Sequence, residues 1–429
     1  ENGLFRQTLS FDSGELHPWS TWPTFYRGVD NSKHGLKFIN QDKSFADQNY
    51  PSVWNILSKK NISIGIFGSL QSYPPPQIDE NIKFYLPDTF SIDEKSFPKK
   101  LELFQKFNLS IVSDNNAITR NINSSQIKNL IQCLSNRVIS LNTLIKLIYQ
   151  VIKEKIFKKY KLKRSLLQPI IGFDAYFKQL KKEKPSFSTF FTNHLAGMMH
   201  RYWYDYFPED FKVAPRKKSD FKKNLILEAL NIADYQLKIL VNFAKENNYN
   251  IWIASSMGQD FIKRKNHTKE LFLNEPKKLL KILGLDSTNY QFLPSMYPDI
   301  NINCVNLIAQ KKIIDAIAHL VDSNNKKILR LRYEPVKNKI NLIMNNLDNT
   351  NRKEYLFYKN KKFKIEKLGF EIIQRDQGTG YHIPEGVLIT FGEKSKELLH
   401  DFDNIDTKKI APLILSYFGI EREKYMKKI

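Results

Sequence analysis

Cysteine is nearly absent from this chain: Cys133 and Cys304 are the only two among 429 residues. Two cysteines are too few for a disulfide framework or a cysteine-based zinc site, and such low usage is typical of a reducing compartment. We therefore predict a cytoplasmic location. The sequence also lacks an uninterrupted apolar stretch of about 18 residues, so we predict no transmembrane helix.

The sequence shows no internal repeat, no signal-like segment and no nucleic-acid motif with interleaved aromatic residues. The chain begins ENGLFRQTLSF rather than with Met, so the lack of a targeting segment excludes no compartment. Because 41% of the residues are hydrophobic and 13% are aromatic, the composition is that of a globular protein. The length suits one large domain with an insertion, or two domains.

Positive charge is in excess: 67 Lys and Arg stand against 44 Asp and Glu, a net charge of +23. Such a field favours anionic partners: a phosphorylated or sulfated small molecule, an anionic glycan, nucleic acid or acidic lipid. The basic clusters at 153–164 and 178–184 are also explained as solvated helix faces, because lysine is abundant along the whole chain.

Apolar runs that end at Gly or Ser predict core strands at 62–67, 251–254 and 387–391, and we expect these three in one central sheet. Residues 77–189 change to lysine-rich helical patterns, which predicts an inserted helical cap, and residues 260–345 are predicted as helical with short strands. Strands that alternate with long helices predict a parallel or mixed sheet covered on both faces.

Several separated segments follow one another along the chain in the same order as the motifs of one known family. Among them are STWPTFYRGVDNSKHGL (20–36), FFTNHLAGMMHRYW (190–203) and GTGYHIPEGVLITFG (378–392). Together with 51–76 and 408–420, they resemble the alkaline phosphatase superfamily, in its type I phosphodiesterase/nucleotide pyrophosphatase branch. The matching segments cover about half of the chain.

The resemblance implies a three-layer α/β/α core with a mostly parallel sheet. Residues 1–76 and 190–429 would form this alkaline phosphatase-like core, and residues 77–189 the helical insertion. The family's opening strand, which carries its first metal-binding Asp, would lie before Glu1, so we expect that strand to be missing from these residues.

The resemblance also implies a hydroxyl nucleophile at a helix N-terminus, and Ser20 and Thr21 stand in the corresponding segment, directly before Trp22 and Pro23. Proline is favoured in a first helical turn, and free backbone N–H groups favour an anion there. Either hydroxyl is equally well explained as a simple N-cap.

Two histidines, His200 and His382, stand at metal-binding positions of the family. Its middle motif would place an Asp at position 196, where this chain has Ala196, and the nearest polar side chains are Asn193 and His194. We assign those two to substrate binding, and a third metal donor could come from Asn193, His194, Asp376 or a residue upstream of Glu1. Two imidazoles are fewer than the usual three or four zinc ligands, so we expect fewer than two divalent ions, Zn²⁺ or Mn²⁺.

After strand 251–254 the family has an Asp-His pair, and this chain has Ser256 and Met257, neither of which binds Mg²⁺ or Zn²⁺ well. Ser255, Ser256 and Gln259 could bind an oxyanion by hydrogen bonds at the strand end. Equally, these residues could merely fill the volume of an absent metal.

Other polar residues near these segments have weaker assignments. His34 is expected to be structural, closing a turn. His17, with Asp12 and Glu15, could supply polar groups near Ser20. Asp376 and Gln377 are either loop caps or site residues.

The sequence leads to two functions of different class. The first is an atypical hydrolase or transferase that acts on a phosphate or sulfate ester, as a phosphodiesterase does. The second is a non-catalytic anion- or glycan-binding protein on a degenerate alkaline phosphatase-like fold.

Overall fold

A computed structural model gives the fold of most of the chain. The described residues are 3–112, 124–212, 214, 217–262, 269–293, 295, 299–334, 337–345, 354–374 and 378–429. They form a mixed α/β structure with 14 α-helices and several small sheets. No helix in these ranges is long and apolar enough to cross a membrane.

The strands are short and are spread over the whole chain. In chain order they are β1 Gly3–Leu9, β2 Ile64–Phe67, β3 Ile82–Leu86, β4 Phe187–Phe190, β5 Ile251–Ala254, β6 Gly258–Phe261, β7 Lys269–Leu273, β8 Tyr290–Leu293, β9 Asp299–Cys304, β10 Leu320–Val321, β11 Leu329–Glu334, β12 Lys337–Met344, β13 Tyr355–Tyr358, β14 Lys361–Lys364, β15 Phe370–Gln374, β16 Gly380–Ile383, β17 Glu385–Phe391 and β18 Asn404–Asp406.

The helices are concentrated before residue 250. They are α1 Pro18–Arg27, α2 Asn31–His34, α3 Ser44–Asn49, α4 Val53–Lys59, α5 Leu101–Val112, α6 Ser124–Ser135, α7 Leu141–Ile156, α8 Leu167–Glu183, α9 His194–Tyr206, α10 Asp220–Asn247, α11 Pro276–Ile282, α12 Leu307–Ala318, α13 Glu393–Leu399 and α14 Ile410–Tyr417.

Two separate sheets replace the single central sheet that the sequence predicts. One has the order β18-β1-β17-β5, and the other has the order β3-β2-β4. The prediction that 251–254 and 387–391 share a sheet is confirmed, but 62–67 lies in the other sheet. Within the described residues the expected mostly parallel sheet is not found: β2, β3 and β4 are parallel, whereas β17 runs antiparallel to both β1 and β5.

Helices cover both faces of the β3-β2-β4 sheet, because its buried side chains alternate between two hydrophobic clusters. Ile64 and Ile66 of β2 pack in a cluster with α1, α4 and α14, which also contains Leu388 of β17. Phe67 of β2 and Phe84 of β3 pack on the opposite side with α5, α8 and α10. The first cluster therefore joins the two sheets from one side.

A strand near the start of the chain, β1, was not predicted from the sequence, and nothing tests the expectation that the family's opening strand lies before Glu1. β1 pairs with β17 along its whole length and with β18 at its end. Its sequence, GLFRQTL, has polar Arg6, Gln7 and Thr8 in the middle. These residues interrupt the apolar run, which is why the sequence analysis did not identify the strand.

Residues 269–374 are built mainly of strands: their described part contains nine strands but only two α-helices, α11 and α12. The prediction that 260–345 is helical with short strands is wrong, because the described residues between 269 and 345 contain six strands, β7 to β12, and only those two α-helices. A separate hydrophobic cluster, including Leu279, Ile302, Ile313 and Leu342, holds this region together. Polar residues alternate with apolar ones in β9, β11 and β12, which is the period of a half-buried strand.

Between residues 77 and 189 the structure places the helices α5 to α8, which matches the helical pattern of this range. The same range also contributes β3, which pairs with β2 in the core sheet. Its helices surround the cluster that includes Phe104, Cys133 and Ile171.

Candidate functional site

A cavity of about 2130 Å³ lies where the two sheets would otherwise meet. All residues of β4 and of β5 line it, and each of these strands is the last of its sheet. Residues 191–196, 199 and 200, which follow β4, and residues 255–259, which follow β5, also lie along its wall. Polar residues within a few positions of both strand ends, among them Asn193, His200 and Ser256, give the cavity a polar end.

Thr21 lies in the first turns of α1, and its hydroxyl contacts the turn after β5. Its Oγ1 lies 2.8 Å from Oγ of Ser256 and 3.9 Å from the sulfur of Met257. It also donates to the carbonyl oxygen of His17 at 3.1 Å. Thr21 is fully buried, and Ser256 is buried as well. The structure thus brings together two candidate residues that are 235 positions apart, but it covers the hydroxyl.

Ser20 is close to Thr21 but has different partners. Its hydroxyl donates to the same carbonyl of His17 at 3.3 Å, and it lies near the Asp12 carboxylate, whose pKa burial raises and this hydroxyl helps to lower. Neither contact leads to Ser256. The structure therefore separates the two hydroxyls, which the sequence does not distinguish.

The start of α1 differs from the sequence-based expectation. The helix begins at Pro18, so Pro23 lies inside it and not in its first turn. Pro18 is accommodated at the start because its missing N–H has no helical partner there. Pro23 leaves the carbonyl of Trp19 without its helical donor, and the side-chain amide of Gln71 donates to that oxygen at 3.4 Å.

The two serines after β5 face different neighbours. Ser255 extends the sheet: its Oγ accepts from the N–H of Val387 at 2.9 Å, and its own N–H donates to the carbonyl of Val387. Ser256 points to Thr21 instead. Gln259 lies in β6 opposite His382 of β16. Its Oε1 is buried and has no hydrogen-bond partner among the residues that the structure describes.

His200 of α9 and His382 of β16 form a close pair in the cavity wall. Their Nε2 atoms are 3.1 Å apart. Nδ1 of His200 lies 2.9 Å from the carbonyl oxygen of Gly380, and Nδ1 of His382 lies 2.9 Å from that of Leu16. A carbonyl can only accept, so both Nδ1 atoms carry the proton and both Nε2 lone pairs face each other.

Burial sets the charge state of this pair. Desolvation lowers the pKa of His200 below its ordinary value. Desolvation, followed by the neighbouring His200, lowers the pKa of His382 to about 4. Both rings are therefore neutral near pH 7, and neutral imidazole is the form that binds a metal ion.

As metal ligands, the pair is incomplete. A Zn²⁺ ion bound at about 2.0–2.1 Å from each nitrogen would fit two atoms that are 3.1 Å apart. However, no group of three or more His, Cys, Asp and Glu side chains in the described ranges could hold a metal ion. Asp376, one candidate for a third ligand, lies outside the described residues, as does Gln377.

Asn193 and His194, at the start of α9, also line the cavity. The His194 ring is already engaged: Nε2 donates to the carbonyl of Ala229 at 3.0 Å, and Nδ1 accepts from Thr192 at 2.8 Å. Burial lowers the pKa of His194. Its bonded ring is unsuited to a ligand or metal, whereas Asn193 caps α9 by position without a side-chain capping bond.

The polar end of the cavity also contains His17 and Glu15, from the loop before α1. His17 Nε2 lies 3.5 Å from a Glu15 oxygen, and the Tyr381 hydroxyl donates to the other oxygen of that carboxylate. The rings of His17 and His382 are 6.5 Å apart between centroids. His17 therefore lies between the start of α1 and the histidine pair.

Asp12 and His34 belong to a buried chain of hydrogen bonds that runs through Thr24 of α1. His34 Nδ1 accepts from the N–H of Leu36, so its Nε2 carries the proton and donates to Thr24 at 3.0 Å. Thr24 in turn donates to Asp12 at 2.6 Å. Neither residue lines the cavity. This geometry suits a structural role for both.

Charged residues that were not predicted from the sequence also line the cavity, among them Asp299 of β9 and Arg330 and Arg332 of β11. The signal was present in the sequence, because LRLRYE alternates leucine and arginine with the period of a strand. It was overlooked because 260–345 was interpreted as mainly helical.

Comparison with known proteins finds similarity among solved structures but not among protein sequences. No protein-family profile matches the chain, and no curated protein sequence does so either. Among solved structures, the chain is similar to murine ectonucleotide pyrophosphatase/phosphodiesterase 5, with 11% identity and a TM-score of 0.39, over 100% of this chain and 90% of that one. A TM-score at this level carries no argument about fold or function.

Proposed function

We propose that this protein is an atypical hydrolase or transferase of phosphate or sulfate esters, phosphodiesterase-like, on an alkaline phosphatase-like fold. One observation carries the proposal: a hydroxyl in the first turns of a helix, Thr21, contacts Ser256 at the end of β5. The cavity that Ser256 and Met257 line also contains the facing histidines. The order of the segments that resemble the alkaline phosphatase superfamily supports the same assignment.

In the proposed reaction, Thr21 Oγ1 attacks the phosphorus or sulfur atom and its proton passes to a neighbouring acceptor. The ester bond to the leaving oxygen breaks, and the leaving group keeps the bonding electron pair as an alkoxide, which takes a proton from solvent to become the alcohol. Water then displaces the phosphoryl or sulfuryl group from Thr21 in a hydrolase, and a second alcohol does so in a transferase. Because Met257 covers the hydroxyl, its side chain must move aside for substrate to reach Thr21.

We further propose that His200 and His382 together bind a single Zn²⁺ or Mn²⁺ ion. The third ligand would be a residue beyond the described ranges, such as Asp376, or a group of the bound anion. An ion at this place would withdraw charge from a phosphoryl or sulfuryl oxygen. Asn193, Ser255 and Gln259 line the same cavity, and they are candidates for hydrogen bonds to the rest of the substrate.

A second function, a non-catalytic anion- or glycan-binding protein, is favoured by a different observation. Thr21 is fully buried, and its hydroxyl already bonds both His17 and Ser256. A residue in this state can be a structural link between α1 and β5. In that case the cavity would bind anionic ligands without cleaving them.

Turnover and metal content of matched variants distinguish the two functions. With Zn²⁺ or Mn²⁺ added, we expect the protein to cleave bis(4-nitrophenyl) phosphate or 4-nitrophenyl sulfate. Thr21→Val keeps the side-chain volume but removes the hydroxyl, so activity should fall by at least about 100-fold, the scale on which one catalytic group contributes. Ser20→Ala, which removes a hydroxyl on the same His17 carbonyl, should retain activity.

Metal content is measured on the same preparations by mass spectrometry. We expect close to one ion in the unaltered protein and in Thr21→Val, and none in His382→Ala. Absence of turnover with both esters and both metals would support the binding protein instead. Full activity of Thr21→Val would exclude Thr21 as the nucleophile.

A further inference from the structure

The sheet with the order β11-β12-β9-β8 has one apolar and one polar face. Leu329, Ile340, Leu342 and Ile302 belong to the hydrophobic cluster of residues 269–374. Residues directly opposite each other in antiparallel strands share a face. Arg332 pairs with Asn341, and Asn341 pairs with Asn301, so these three form one polar row.

A second row on this face consists of Arg330, Ile343 and Asp299. Arg330 and Arg332 are two positions apart on β11, so both side chains leave the same face of the sheet. Arg330, Arg332, Asp299 and Ile343 all line the cavity described above. The face is therefore turned toward the candidate site, and it carries two guanidinium groups there.

Buried hydrogen bonds fix the orientation of this face. Asn341 Nδ2 donates to Asp299 at 3.0 Å and to Asn301 at 2.7 Å. Asn301 in turn donates to the carbonyl of Ile39 at 3.1 Å, and Lys339 donates to the carbonyl of Asn40 at 2.6 Å. The loop at 39–40 thus anchors β9 and β12, and with them the neighbouring strand β11, beside the site.

The two arginines have hydrogen-bonding capacity that the described residues do not use. Across the described ranges, neither guanidinium makes a hydrogen bond or an ion pair within 4.0 Å. The nearest carboxylates have other partners, since Asn341 binds Asp299 while His17 and Tyr381 bind Glu15. Arg332 is half-buried and Arg330 is exposed, so a ligand in the cavity can reach both.

Burial of this region has an electrostatic cost. Desolvation lowers the pKa of Arg332 and raises the pKa of Asp299. Each shift means that the charged form is less favourable than in water, despite the attraction between the two groups. An anionic ligand on the guanidinium would relieve this cost by replacing the lost hydration with charge-assisted hydrogen bonds.

We propose that Arg330 and Arg332 bind a second anionic group of the substrate, a phosphate, sulfate or carboxylate that is separate from the ester that reacts. The inference rests on the proposed function for the identity of the reacting ester, but the binding site is defined by the two arginines alone. It makes these residues determinants of specificity for doubly anionic substrates. A guanidinium fork suits such a group because it can bind two oxygens at once.

The test measures binding, so it does not depend on turnover. Methylenediphosphonate carries two anionic groups and cannot be hydrolysed at its carbon bridge, and methylphosphonate carries one. Calorimetry without added divalent ions should show that the unaltered protein binds the diphosphonate at least about 10-fold more tightly, as expected for an additional charge-assisted contact. Arg332→Gln and Arg330→Gln should each remove most of this preference and leave the affinity for methylphosphonate unchanged.

The control is Lys361→Gln, which makes the same change of charge on exposed β14 of residues 269–374, away from the cavity. It should bind both phosphonates like the unaltered protein. Arg332→Lys keeps the positive charge but loses the guanidinium fork, so we expect an intermediate preference for the diphosphonate. This variant replaces Arg332→Gln in the test if Arg332→Gln does not fold. Equal binding of both phosphonates by the unaltered protein, or an equal loss of both in the arginine variants, would overturn the proposal. A protein that binds as expected but cleaves no ester would refute the proposed function and leave this inference standing.

Discussion

At the scale of single residues, four histidines of this protein differ in the hydrogen-bond partners of their ring nitrogens. His34 and His194 have both ring nitrogens bonded within the protein. His200 and His382 instead turn their Nε2 atoms toward each other. A sequence pattern cannot make this distinction, because it depends on the carbonyl groups that fix each tautomer. Residues 180 or more positions away supply those carbonyl groups for the pair.

His34 gives a prediction about the pH dependence of stability. Burial, and then the charge of Arg27, lowers its pKa to about 3, although Asp30 acts in the opposite direction and Lys37 assists Arg27. The unfolded chain therefore takes up this proton first as the pH falls. The stability that neutral His34 contributes is complete above about pH 6.5, and it is lost between there and about pH 3, by about 1.4 kcal/mol per pH unit.

Urea unfolding followed by tryptophan fluorescence at pH 7.5, 6 and 5 measures this slope. We expect His34→Gln to be less stable than the unaltered protein at pH 7.5 and to lose less stability on acidification. His400→Gln is the control, because the His400 side chain is 83% exposed, and its slope should match that of the unaltered protein. Parallel curves for all three proteins would contradict the assignment of His34.

At the scale of elements, the positions of His200 and His382 depend on a close approach between α9 and β16. A Cβ atom on Gly380 would lie 2.6 Å from the carbonyl oxygen of Met199, which is too close for a real contact. The Gly380 carbonyl also accepts from His200. Glycine at this position therefore allows the strand to approach the helix.

Gly380→Ala should separate α9 from β16 and lower the free energy of unfolding by about 1–3 kcal/mol, as overpacking usually does. Gly197, on the same helix, has open space around its Cβ position. Gly197→Ala should therefore raise stability by about 0.5–1 kcal/mol, because alanine loses less backbone entropy in a helix. Denaturant unfolding of both variants measures the two changes in the free energy of unfolding. Equal stability of the two variants would show that α9 and β16 are not in close contact.

The sequence predicts elements well where apolar runs are continuous, as in β5, β17 and α10. It fails for β1 and for residues 269–374, where arginine, asparagine and lysine alternate with apolar residues on half-buried strands. Those polar side chains face the cavity or other elements, and a local pattern does not show what lies opposite. The same limit explains why Arg330 and Arg332 were missed.

At the scale of the whole molecule, the separation of the two sheets is the feature that the sequence could least predict. Whether β4 pairs with β5 depends on the packing of helices from both ends of the chain. Here the cluster around α1, α4 and α14 joins the sheets on one side, but the cavity of about 2130 Å³ leaves the facing edges of β4 and β5 open.

These open edges predict a specific pattern of amide hydrogen exchange. Strand β17 lies between β1 and β5, so both of its edges are paired, and β2 is likewise flanked by β3 and β4. In β5, the N–H of Ser255 bonds to Val387, and alternation along the strand turns the N–H groups of Trp252 and Ala254 toward the cavity. An amide without a partner exchanges through smaller local openings than one in a paired strand.

We therefore expect the amides of Trp252 and Ala254 to exchange at least about 10-fold faster than those of Leu388 and Thr390 in β17, a difference that about 1.4 kcal/mol of protection would produce. Mass spectrometry with fragmentation that resolves single residues can measure this. The amide of Ser255 is an internal control, since it lies next to the cavity but is bonded to β17. If Trp252 and Ala254 exchange as slowly as β17, the edge of β5 is covered in solution by a further strand or a ligand. That result would contradict an open edge at β5.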